Sequence, residues 1–125
     1  MKNVNSHKTT GLRRLVNALG YSLSGLQFAW HNESAFRQEV ILAIVLVPLA
    51  FMMPISVTQR VLLVASVILV LVVEVINSAI ETIVDRISLD IHPLSQKAKD
   101  MGSAAVLLAL MNVIMTWAMV LWCLL

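Results

Sequence analysis

The residues best equipped for chemistry lie in one stretch, Glu74-Val75-Ile76-Asn77-Ser78-Ala79-Ile80-Glu81-Thr82-Ile83-Val84-Asp85-Arg86. At about 100° per residue on a helix, Glu74, Asn77, Glu81 and Asp85 fall within an arc of roughly 80°. The other side of that helix is valine, isoleucine and leucine, so one face of an apolar helix carries three carboxylates and an amide. Just upstream, Val61 to Val73 runs thirteen residues without a charge. A carboxylate held in such surroundings costs on the order of a few kcal/mol unless partnered, and therefore marks function. Asp85 beside Arg86 also reads as an interfacial charge closing the helix; Glu74, inside the apolar run, does not.

Two further acids belong with this row. Glu33 follows Trp30-His31-Asn32, and Asp100 closes Lys97-Ala98-Lys99. A divalent cation of the magnesium type takes hard oxygen ligands, commonly one or two carboxylates plus phosphate oxygens. Lys97, Lys99 and Arg14 are cations that could draw a polyphosphate to the same surface. Neither GxxxxGK[ST] nor GxGxxG precedes a helix, so a nucleotide here would need another arrangement.

The elements that must position these groups follow from composition. The chain has 125 residues, 59% hydrophobic and 13% charged, with mean hydropathy +0.87; a soluble domain carries about 45–50% apolar and about 25% charged residues. This describes a single all-α integral membrane domain over 1–125. The net charge of +2 points to no nucleic acid partner. One cysteine, Cys123, gives neither a disulfide pair nor a zinc site. The first long apolar run starts near Val40, which is the wrong place for a cleaved leader.

Residues 1–8 are polar and read as loosely attached. An amphipathic interfacial helix is expected over about 9–33, capped by Thr9 or Thr10, with Leu12, Leu15, Val16, Leu19, Leu23, Leu26 and Trp30 at helical spacing. Three transmembrane helices follow at about 35–54, 60–87 and 98–124. The first contains Pro48, which lipid-embedded helices tolerate where neighbours take up the freed carbonyl. Ile55 to Gln59 is expected to be a tight turn, and Ser88 to Gln96 a loop containing His92-Pro93. Lys2, Lys8, Arg13, Arg14, Arg37, Arg86, Lys97 and Lys99 stand against Arg60 alone in the connection between the first two spans. That asymmetry places the N-terminus and the second loop in the cytoplasm. At about 1.5 Å per residue, Glu74 then lies roughly 20 Å from the outer end at Val61 and Glu81 roughly 30 Å from it. Against a hydrocarbon core of about 30 Å, Glu74 sits in the inner third and Glu81 near the cytosolic interface.

The segments Ala35-Phe36-Arg37-Gln38-Glu39, Glu74 to Glu81, Val84-Asp85-Arg86 and Ala98-Lys99-Asp100-Met101-Gly102-Ser103-Ala104-Ala105 together resemble the prokaryotic diacylglycerol kinase family. The likeness runs from about Thr10 into the last helix. It implies a homotrimer in the bacterial inner membrane, with active sites between subunits at the cytosolic interface, which phosphorylates the hydroxyl of diacylglycerol with ATP and Mg2+. By motif, it implies Glu74 as general base and substrate contact, with Asn77 orienting groups beside it. Glu33 and Glu81 are implied as ligands of the metal on ATP, and Lys99 and Asp100 as nucleotide contacts. Arg14 and Tyr21 match positions associated with ATP, and Arg14 and Ser103 positions associated with the lipid. The sequence departs from the pattern at Pro93 and Gln96, where an acid and a glycine are expected, and at Asn17, which replaces a basic residue.

Other readings are an undecaprenol kinase of the same family, a small proton-coupled transporter protomer, and a purely structural membrane subunit. A transporter should set its key carboxylate near the midplane of a path open to both sides; here the acids are skewed to one side, and Glu74 argues against a structural subunit. Three thin helices cannot shield several carboxylates from lipid, so a homo-oligomer is expected. Gly102, Ala105 and Ala109 offer a small-residue face for that association.

Overall fold

The computed structural model describes residues 10–125, which form four helices: α1 Gly11–Asn32, α2 Ser34–Met52, α3 Val57–Ile87 and α4 Pro93–Leu124. The polar segment before Thr10 lies outside the described residues. The last three helices are each long and apolar enough to cross a membrane. Large apolar side chains on all of them, such as Ile44, Ile68 and Ile114, are exposed on the single chain. Their solvent is lipid or another protein surface, and the chain is an all-helical membrane protein. At about 1.5 Å per residue, the 31 residues of α3 reach roughly 46 Å, well beyond a hydrocarbon core of about 30 Å. The polar C-terminal turns of α3 and the polar start of α4 are the surplus.

α3 is the hub. It packs on α4, α2 and α1, whereas α2 and α4 have no extended backbone contact with each other. One end is closed by a small core of Ala50, Met53, Leu63, Val67, Trp117 and Val120, drawn from α2, α3 and α4.

The connections explain why the helices stop where they do. α1 ends because Glu33 is extended (φ −121°, ψ 106°), its N–H still donating to Ala29 O. The carbonyls left over at this helix end are taken by the next helix: Arg37 Nη1 donates to Trp30 O at 2.8 Å and to His31 O at 3.3 Å. The guanidinium thus holds the corner on which Glu33 stands. α2 continues through Pro48 without a break.

Two expectations about turns are corrected. Ile55 to Gln59 is not all turn: α3 begins at Val57, because Ser56 and Gln59 form a reciprocal capping box with 3.1 Å hydrogen bonds in both directions. Arg60 then reaches back, its Nε donating to Ala50 O at 3.1 Å and its Nη2 to Met53 O at 3.1 Å and Ile55 O at 3.4 Å. Likewise the loop expected to run to Gln96 stops at His92. Pro93 occupies the first turn of α4, and His92 Nδ1 accepts from Leu94 N at 3.1 Å. Proline costs nothing there, since its missing N–H would have had no partner in the helix.

A third correction concerns the small-residue face of α4. Gly102 and Ala109 are buried, on one stripe with Trp117 and Val120, and among the described residues the close backbone contacts of α4 are all with α3. Their smallness is used up inside the chain, letting α3 and α4 approach closely; Ala105 alone of the three remains exposed.

Candidate active site

Glu74 is 4% exposed and Asn77 8%. The turn-by-turn spacing of the acidic row sets both against neighbouring helices rather than against lipid. From α2, Glu39 comes close enough to Glu74 for the two carboxyl groups to act on each other. Two carboxyl groups can share a hydrogen bond only when one of them carries a proton. Glu39 Oε2 is sealed from solvent without a hydrogen-bond partner. Glu33, from the α1–α2 corner, and Glu81, two turns along α3, are both close enough to act electrostatically on Glu74. Glu33, Glu39, Glu74 and Glu81 therefore form one acidic cluster drawn from three parts of the chain, held by the Arg37 corner and the α2–α3 contact.

Among the described residues no group of three or more His, Cys, Asp or Glu is placed to hold a metal by itself. Magnesium does not require one: it takes one or two carboxylates and leaves the remaining positions to phosphate and water. Glu33 and Glu81, half-buried oxygen donors at the same acidic cluster, fit an ion that arrives with phosphates.

Beyond Glu81 the site changes character. Lys99 Nζ bonds Asp85 Oδ1 at 2.7 Å, tying the end of α3 to the start of α4. Asp100 Oδ1 accepts from Gln96 Nε2 at 2.9 Å. Asp85, Ser88, Asp90, His92, Ser95 and Lys99 line a small polar pocket of about 100 Å³ at this end. An apolar groove of about 770 Å³ is bounded by Leu26 and Trp30 of α1, Phe36 and Val40 of α2, and Leu71 and Val75 of α3. Leu71 and Val75 flank Glu74 along the helix. Along α3 the acidic row thus runs from residues that line the apolar groove, Leu71 and Val75 on either side of Glu74, to Asp85, which lines the polar pocket.

Arg14 and Tyr21 lie on exposed stretches of α1, and Ser103 on an exposed part of α4. Among the described residues α1 and α4 make no close backbone contact with each other. Two groups at the site carried no expectation of a role in its chemistry. Glu39 stood within a noted motif without a role, although a charge at the mouth of the apolar run from Val40 was a usable signal. Gly102 fits against the Asn77 side chain so closely that a β-carbon there would lie 3.2 Å from Asn77 Cγ and overlap Asn77 Oδ1; nothing in the sequence pairs those two positions.

The family model described as prokaryotic diacylglycerol kinase matches residues 20–121. The chain is 50% identical over 117 residues to the diacylglycerol kinase of Escherichia coli K12, covering 94% of this chain and 96% of that one. It is 54% identical over 112 residues to the diacylglycerol kinase of Pseudomonas aeruginosa, covering 90% and 91% respectively. To that of Haemophilus influenzae it is 47% identical over 116 residues, covering 93% and 98%. With the family's motif residues sitting on the buried acidic face of α3 and its near end of α4, the chain belongs to the prokaryotic diacylglycerol kinase family.

Proposed function

We propose that the chain is an ATP-dependent diacylglycerol kinase: the lipid hydroxyl attacks the γ-phosphorus of ATP, the bond to the β-γ bridging oxygen breaks, and phosphatidic acid, ADP and one proton result. The observation that carries this reading is the burial of Glu74 on an acidic face of α3 that runs from residues lining an apolar groove to residues lining a polar pocket. Phosphoryl transfer asks for positioning and charge neutralisation more than for covalent help.

In this reading Glu74 is the general base that takes the hydroxyl proton, and Glu39, close beside it, is the group across which that proton can be spread. Asn77, one turn further along α3, orients the reacting groups. The acyl chains lie in the groove between α1, α2 and α3, which lets the hydroxyl meet Glu74 without leaving the bilayer. Lys99 and Asp100 contact the nucleotide beside the polar pocket, with Arg14 and Tyr21 supplied from α1 and Ser103 from α4 near the lipid head. Glu33 and Glu81 would hold Mg2+, which supplies neutralisation of phosphate charge when bound.

The eight-to-one distribution of lysine and arginine supports a bacterial inner-membrane protein with its N-terminus in the cytoplasm, where ATP is. A homotrimer is supported by the wide exposed apolar surface and by the separation of α1 and α4 within one chain: neighbouring subunits could bring Arg14 and Tyr21 beside Lys99 and Asp100. The relatives' names favour diacylglycerol over undecaprenol. Phosphate transfer from labelled ATP to each lipid, by the purified protein in mixed micelles, tests the proposal. Transfer to diacylglycerol is expected; no transfer to either lipid overturns it, and preference for undecaprenol replaces the substrate.

A further inference from the structure

Asn77 is buried, and its amide is not symmetric in its surroundings. Oδ1 is sealed from solvent without a hydrogen-bond partner, whereas Nδ2 is not among the sealed, unpartnered atoms and makes no bond within the described residues. The oxygen sits where a β-carbon of residue 102 would be, so only the bare Cα of Gly102 permits the contact. A glycine Cα–H facing a carbonyl oxygen is a weak but directional interaction. Asn77 also lies between Glu74 and Glu81 in sequence on the same face of α3, so its NH2 group is a hydrogen-bond donor on the helix face that carries the two carboxylates.

We propose that Gly102 is a positioning residue for the kinase reaction: by meeting the Asn77 oxygen, α4 locks the amide in the orientation that leaves its NH2 free to donate into the site. The inference rests on the reading of Asn77 as an orienting group. The required feature on α4 is therefore an absence of side chain.

The test is a double-mutant cycle on the full-length protein in detergent, with kcat, both KM values and oligomeric state measured for wild type, Gly102→Ala, Asn77→Ala and the double variant. A misplaced orienting group costs rate rather than affinity, so Gly102→Ala should lower kcat by at least ~10-fold while KM for ATP and lipid stay within about 2-fold. In the Asn77→Ala background the same change should alter kcat by less than about 2-fold, because the two positions act through one contact. Wild-type kcat in Gly102→Ala overturns the proposal, as does an equal loss in both backgrounds. If Gly102→Ala does not assemble, assembly restored by adding Asn77→Ala upholds the contact and failure of both variants overturns it. Full activity in Asn77→Ala would instead remove the role given to Asn77 itself.

Discussion

Glu74 was legible from the sequence because its oddity is local: a carboxylate inside an apolar helix is visible in one dimension. Replacing it with glutamine keeps shape and hydrogen bonding but removes the base. Glu74→Gln should lower kcat by at least ~100-fold with helical content and oligomeric state unchanged, and a fully active variant would sink the assignment. Glu39 is different, since its meaning lies in a partner on another helix. Glu39→Gln can still donate to Glu74 but cannot take up a proton; kcat is expected to drop by ~10-fold with KM for ATP little changed. An intact kcat would reduce Glu39 to a packing residue. For Glu33→Gln and Glu81→Gln the informative measurement is a magnesium titration, where half-maximal activity should move to higher concentration. A coincident curve for both variants would take them off the metal.

At the scale of elements, hydropathy located the three spans, because a helix crossing lipid is set by length and apolarity that any window of residues reveals. The ends were less legible. The start of α4 depends on His92 turning its ring to cap Leu94, and the start of α3 on a serine and a glutamine that pair only once the chain has turned. Arg60, read as a topology signal, also spends its side chain on three carbonyls at the end of α2. Hydrogen bonds from a charged donor contribute about 1.5–3 kcal/mol, and Arg60→Ala should lose stability of that order in a detergent unfolding titration. The kcat of the molecules still folded should be retained, because the clasp lies at the end of the bundle away from the acidic cluster. Stability equal to wild type would mean that the carbonyls are satisfied another way.

The whole molecule is where the sequence said least. Helix count and apolar surface followed from composition, but the small-residue face offered for self-association is consumed within the chain. If active sites form between subunits, chains carrying Glu74→Gln and Lys99→Ala, each inactive, should recover part of the wild-type rate when unfolded together and reassembled. A mixture no more active than either parent would confine the site to one subunit. Sedimentation in mild detergent should show a trimer, and a fully active monomer would argue against the shared site.

Every carbonyl that Arg60 binds precedes it by ten residues or fewer. During synthesis the α2–α3 hairpin can therefore latch while α4 is still inside the ribosome.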